Sequence, residues 1–175
     1  MSGRPEAGVG HYLRDIVNGA CDGVVTTLAI VAGVSGAQFE PRVAVVLGIV
    51  NLAADGLSMG ASNYLGMKSE LEQLGHSVAF EAPWRHGVAT TLAFVAAGTV
   101  PLVTYALPLP DEWHFATALA LAGVALGVVG ASRSAFTGRP AWRCALEMLL
   151  IGGAAAGVGY VLGLLVDPLL PGGHG

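Results

Sequence analysis

Charge is what this sequence has least of: 11% of its 175 residues are Asp, Glu, Lys or Arg, against about 25% in an ordinary soluble domain. So little polar surface excludes a soluble monomer. Lysine occurs once, and because Lys68 follows Met67 and not a glycine, a phosphate-binding loop is excluded. Any driving energy must then come from a gradient. An intramembrane enzyme would need a motif such as H-E-x-x-H or G-x-S-x-G, and on the reading that neither occurs it is set aside. The net charge of −4 is spread over short loops without a basic or acidic block, so nucleic acid is not expected as a partner. Two cysteines, Cys21 and Cys144, sit near the ends of different apolar runs and are read as reduced, buried thiols.

What is present is apolar sequence in long runs: 54% of residues are hydrophobic and the mean hydropathy is +0.66. Ile16 to Phe39 and Val43 to Met67 hold one charge each, while Gly87 to Pro110, Phe115 to Ser132 and Met148 to Val166 hold none. Each run is roughly 18 to 25 residues, enough to span about 30 Å of hydrocarbon at 1.5 Å per residue. The expected fold is an all-α integral membrane protein of five transmembrane helices, spanning about 12–37, 43–67, 84–107, 114–136 and 141–166, between a polar tail at 1–11 and a Pro/Gly-rich tail at 167–175. Asp22 interrupts the first run near its start, and no A-x-A-like cleavage site follows, so that run is read as a retained helix and not a signal peptide.

Basic residues orient the chain. With the N-terminus inside, Arg4, Arg14, Lys68, Arg85, Arg133, Arg139 and Arg143 flank cytoplasmic helix ends and Arg42 alone lies outside, which gives an N-in, C-out topology by the positive-inside rule. The expected outer connection, Leu107 to His114, carries Asp111 and Glu112 and no basic residue. Gln38 to Arg42 is expected as a tight turn with Pro41 starting helix 2, so that helices 1 and 2 form an antiparallel hairpin. Pro101 is expected to kink helix 3. Ser69 to Pro83, with Glu70, Glu72, His76 and Glu81, is the one inner loop of any length. It is read as a solvated linker, with Glu70 and Glu72 as possible first contacts for a metal. Glycines at four-residue spacing, such as Gly19 and Gly23 or Gly56 and Gly60, allow close helix approach within one subunit or between two.

An ionisable side chain at the bilayer centre costs about 2.5 to 3.5 kcal/mol on insertion scales and calls for a partner, a cavity or a task. Asp22 lies about 10 Å into the membrane beyond Asp15, and Asp55 is near the midplane, thirteen residues from both Arg42 and Lys68. In helix 2, Asn51, Asp55 and Met59 repeat every four residues along one face, as Asn18, Asp22 and Thr26 do in helix 1. Counted from opposite directions, Asp22 and Met59 reach similar depths, so a carboxylate and a thioether can meet across the hairpin or across a dimer interface. Oxygen donors with one thioether suit Fe²⁺, Mn²⁺ or Co²⁺ better than Ca²⁺ or Mg²⁺, and the carboxylates can also carry protons. The alternative is a scaffold whose buried acids only hold helices together. Glu147, one turn after Arg143, is expected in an intrahelical ion pair, with lining the mouth of the path as its other possible role.

DGVVTTLAIVAGVSG at Asp22 to Gly36, ADGLSMGASNYLGMKSE at Ala54 to Glu70 and LLIGGAAA at Leu149 to Ala156 resemble the vacuolar iron transporter (VIT) family, and the similarity extends from Tyr12 to Leu165. The resemblance implies a five-helix protein that dimerises and exchanges cytosolic Fe²⁺, often also Mn²⁺, for protons, along a path lined by helices 1 and 2 at the dimer interface. It assigns the helix 1 acid to Asp22 and the helix 2 methionine to Met59. The family's helix 2 glutamate falls on Asn51, and Asp55 stands one turn along the same face, so the resemblance implies an acid moved by about 6 Å along the path. It further implies that the longer, Glu-rich cytosolic metal-binding domain of plant-like members is missing, since only Ser69 to Pro83 stands in its place. No resident cofactor is expected, the metal being cargo and H⁺ the coupling ion. The partners expected are the metal, membrane lipid and a second copy of the chain. The Ala/Gly-rich composition points to a bacterial plasma membrane.

Overall fold

The computed structural model describes residues 9–75 and 82–169. Residues 1–8 of the expected tail, His76 and Glu81, and residues 170–175 lie outside them. Five helices are long and apolar enough to cross a membrane, so the chain is a multi-pass integral membrane protein. They are α1 (Val9–Gly36), α2 (Pro41–Gln73), α3 (Pro83–Val103), α4 (Asp111–Ser132) and α5 (Ala141–Val166). Single helical turns at Thr104–Ala106, Ser134–Thr137 and Asp167–Leu169 extend α3, α4 and α5.

Proline marks the helix starts: Pro41 and Pro83 occupy first-turn positions, and Pro110 and Pro140 immediately precede α4 and α5. A missing N–H costs nothing there, because first-turn amides have no intrahelical acceptor. Pro101 sits inside α3, which continues to Val103 and then tightens into the Thr104–Ala106 turn, where the Thr104 hydroxyl donates to the Pro101 carbonyl at 2.9 Å. Two expected boundaries shift. Asp111 and Glu112, expected in a loop, form the first turn of α4, where negative charge is favoured by the helix dipole. α2, expected to stop near Lys68, runs to Gln73, so Glu70 and Glu72 are helical and Lys68 pairs with Glu72 one turn on, at 3.8 Å. Arg14, Lys68, Arg85, Arg133, Arg139 and Arg143 gather at the end of the bundle where α1 begins, and Arg42 stands at the other.

The layout departs from a simple α1–α2 hairpin. α1 is the central helix, with Val17, Val24, Leu28, Val31 and Ala32 buried, and it packs chiefly on α3 and α5, both parallel to it. Glycines set that closeness. A Cβ at Gly23 would collide with the Phe94 carbonyl, and one at Gly98 would meet the Gly23 carbonyl at 2.7 Å. Gly159 and Gly163 likewise abut the Ala29 and Gly33 carbonyls. In lipid, where apolar surface gains little by leaving the tails, such backbone proximity supplies the attraction.

α2 leans on α3 as well. Its buried positions, Ala44, Gly48, Leu52, Gly56 and Gly60, form one stripe of four-residue spacing that meets Leu102, Val95 and Thr91 in antiparallel register. Asn51, Asp55 and Met59 each precede a member of that stripe and therefore project about 100° to its side. The polar row thus runs along the flank of α2, where α1 and α2 diverge.

Candidate metal path

Two cavities open in this divergence at the end of the bundle where α1 begins, and Asn18 and Met59 line both. The deeper, of about 350 Å³, is walled by Asn18, Cys21, Asp22 and Val25 of α1, Met59 of α2, Met148 and Ile151 of α5, and Arg133 at the end of α4. Asp22 and Met59 thus line one cavity of a single subunit. The second, of about 390 Å³, lies nearer the helix ends and includes Arg14, Asp15, Ser62, Asn63, Met67 and Glu70.

Asn51 closes the far side of the gap. Its amide donates to the Thr26 hydroxyl at 3.4 Å, and that hydroxyl donates to the Asp22 carbonyl at 2.8 Å. One turn beyond Asp22, α2 is thereby tied to α1. Asp55 behaves differently: it is exposed on α2 and absent from the cavity wall. Among the described residues, neither its carboxylate nor that of Asp22 is hydrogen-bonded or ion-paired to a protein group.

The acids at the periphery sort themselves out. Glu147 pairs with Arg139 at 2.6 Å and with Arg133 at 3.8 Å, not with Arg143 as its spacing suggested. Arg143 instead lies 5.1 Å from the centre of the Trp142 ring. The single turn at Ser134–Thr137 and the left-handed Gly138 fold the α4–α5 connection back, which brings Arg133 and Arg139 to Glu147. Glu147 is thus an ion-paired clasp outside both cavities, and of the two helix-end glutamates only Glu70 lines one.

Three contributors to the site escape a linear reading. Cys21 and Met148 place their sulfurs 3.2 Å apart although 127 positions separate them, so the thiol read as inert packing is half of a sulfur pair in the cavity wall. Met148 had no sequence signal beyond being a methionine in a charge-free run. The third is His86 behind Asp15, taken up below. Both cysteines are free.

Gly56 to Gly60 satisfies G-x-S-x-G by its letters, contrary to the reading that set enzymes aside. The structure puts Ser58 mid-helix and exposed, and among the described residues it has neither the strand-to-helix elbow nor the histidine partner that such a serine needs. Among the described residues no three of His, Cys, Asp and Glu gather as a metal cage. The deeper cavity is lined by a carboxylate, an amide and two thioethers, donor types that suit borderline divalent cations.

Comparison with known proteins agrees with the motifs. Vacuolar iron transporter 1 of Eucalyptus grandis is 36% identical over 72 residues, covering 41% of this chain and 29% of the relative. Vacuolar iron transporter 1 of Arabidopsis thaliana is 41% identical over 61 residues, 35% of this chain and 24% of the relative. The vacuolar iron transporter of Plasmodium berghei (strain Anka) is 36% identical over 61 residues, 35% of this chain and 22% of the relative. The aligned stretches thus span less than a third of each relative's length. The VIT family as a whole matches residues 13–82 and 72–164, nearly the entire chain, and the chain belongs to that family.

Proposed function

We propose that this protein is a secondary transporter that moves Fe²⁺, and also Mn²⁺, out of the cytoplasm in exchange for protons. The single observation that carries the reading is the cavity shared by Asp22 and Met59, a hard anionic donor beside a soft neutral one at a helix divergence. The relatives' names support iron as cargo. The basic residues collected at one end support the N-in, C-out orientation, with the cavities facing the cytoplasm.

In this reading the metal meets Glu70 at the mouth, passes Asn18, and is held by Asp22 and Met59. Asp55 and Asn51 on the same flank of α2 carry it onward. Asp55 faces out of the subunit, so two copies related by a two-fold axis along this flank would bring both acids to a common seam, and a homodimer is the assembly proposed. The metal is substrate, H⁺ is the coupling ion, and no resident cofactor is required. A bacterial plasma membrane is the proposed location, on composition alone.

Proteoliposomes containing a metal-sensitive dye test the proposal. Fe²⁺ influx in the parent protein should be lost in Asp22→Ala and in Asp55→Ala; variants that transport as fast as the parent would show that the path lies elsewhere. The scaffold alternative finds less support, because the carboxylates of Asp22 and Asp55 make no helix-to-helix hydrogen bond among the described residues.

A further inference from the structure

Antiport needs a group that binds a proton when metal is absent and surrenders it when metal is present. On the flank of α2, Asn51 cannot titrate. At the outer of the two cavities, however, lies a titratable pair to which the path gives no role, although Asp15 shares that cavity's wall with Glu70 and Asn18. His86 of α3 is buried, its side chain 4% exposed, and its Nδ1 lies 2.5 Å from Oδ2 of Asp15 on α1, whose side chain is 17% exposed. Asp15 lines the cavity and His86 does not, so the carboxylate stands between the imidazole and the cavity.

The surroundings hold the pair in place. The Tyr12 ring stacks on the imidazole, with centroids 3.9 Å apart. The Thr90 hydroxyl donates to the His86 carbonyl at 3.0 Å, and the Asn63 amide of α2 donates to that hydroxyl at 2.6 Å. A ring packed so closely gains nothing by moving, and the proton is the one mobile element left. The other titratable groups on this side are few: Arg14 of α1 and Glu70 of α2 share the cavity wall with Asp15, Tyr12 covers the ring, and α4 adds none to that wall.

We propose that the Asp15–His86 pair is the binding site of the coupling proton; the inference rests on the antiport reading above. With one proton, held on Nδ1 and donated to Oδ2, the pair carries one negative charge. A second proton, taken from water in the cavity by way of the carboxylate, brings it to zero as an imidazolium facing a carboxylate. Asp22 lies two helical turns deeper on the same helix, about 10 Å away along the axis. A divalent cation held there favours the negative form of the pair, through an attraction that the polar, water-accessible wall of the outer cavity screens only in part. Metal binding therefore expels the second proton to the cavity, and proton binding weakens the hold on metal by the same factor, as linkage requires.

The test uses the full-length protein in liposomes carrying both a metal-sensitive and a pH-sensitive dye, under an imposed Fe²⁺ gradient. The parent should move protons against metal. His86→Gln should still pass Fe²⁺ down its gradient, which also shows that it folds, with the metal-driven proton flux lost and the pH dependence of KM for Fe²⁺ flattened. Asp15→Asn, which keeps a polar partner for Nδ1 and removes the charge, should likewise lose the metal-driven proton flux. A parent-like proton-to-metal ratio in either transporting variant overturns the assignment while leaving antiport intact. A parent that moves metal without protons overturns antiport and the assignment together.

Discussion

The sulfurs of Cys21 and Met148 stand 3.2 Å apart on the wall that also carries Met59 and Asp22. Two thioethers and a thiol thus border a single carboxylate, which makes the deeper cavity softer than the α1–α2 flank alone. Softness discriminates among divalent metals: thioether contact favours Fe²⁺ and Co²⁺ over Mn²⁺, whose preference is for oxygen. Met148→Leu keeps the volume and deletes the sulfur, a swap that costs less than about 1.5 kcal/mol in folding stability. KM for Fe²⁺ should rise in this variant while KM for Mn²⁺ stays near the parent value. Equal shifts for the two metals would mean that Met148 only fills space.

The glycine contacts make a contrast in stability testable on one chain. At Gly23 an added methyl group would meet the Phe94 carbonyl and backbone, whereas at Gly153 no atom lies within 4 Å. Gly23→Ala should destabilise by about 1 to 3 kcal/mol, as overpacking against immovable backbone does. Gly153→Ala should leave the thermal midpoint in detergent unchanged or slightly raised, since alanine favours the helix. Comparable losses in both would contradict the α1–α3 register.

Much of this architecture is legible in the sequence because its causes are local. Apolar runs of membrane length, prolines before helix starts and charges between runs mark out five helices, though not where α2 ends or α4 begins. The depth match of Asp22 with Met59 follows from counting residues along two antiparallel helices, and the cavity contains both. What is not legible depends on which helix a face chooses. The stripe from Ala44 to Gly60 could pack on any neighbour, and it packs on α3 because Thr91, Val95 and Leu102 accept it, leaving α1 and α2 apart where the cavities form. Pairings such as Cys21 with Met148 or His86 with Asp15 join distant segments and carry no periodic signal. Glu147 misled for the opposite reason: its local partner Arg143 was plausible by spacing, but the folded-back loop supplies two others.

That loop permits a sharp negative expectation. Glu147 is about a third exposed and shares its charge with Arg133 and Arg139, and exposed pairs of this kind contribute roughly 0 to 1 kcal/mol. Glu147→Gln should therefore shift the thermal midpoint little and leave Fe²⁺ influx near the parent rate. A collapse of transport in Glu147→Gln, with folding intact, would return this residue to the metal path.

The strongest demand falls on the second acid of α2. Asn51 hydrogen-bonds to Thr26 on α1, while Asp55, one turn along, carries its charge exposed on the flank of α2. If that charge helps draw a divalent cation along the flank, Asp55→Asn should slow Fe²⁺ influx by at least about tenfold, or ~1.4 kcal/mol. Position matters as well as charge. Asn51→Glu in the Asp55→Asn background restores one carboxylate to the same row, one turn away, and should recover much of the flux, at the cost of the Asn51–Thr26 hydrogen bond, which is worth about 1 kcal/mol. Influx measured in the parent, the single variant and the double variant separates the cases. Recovery ties transport to a carboxylate on this flank, whereas a double variant as slow as Asp55→Asn ties it to the place Asp55 itself occupies.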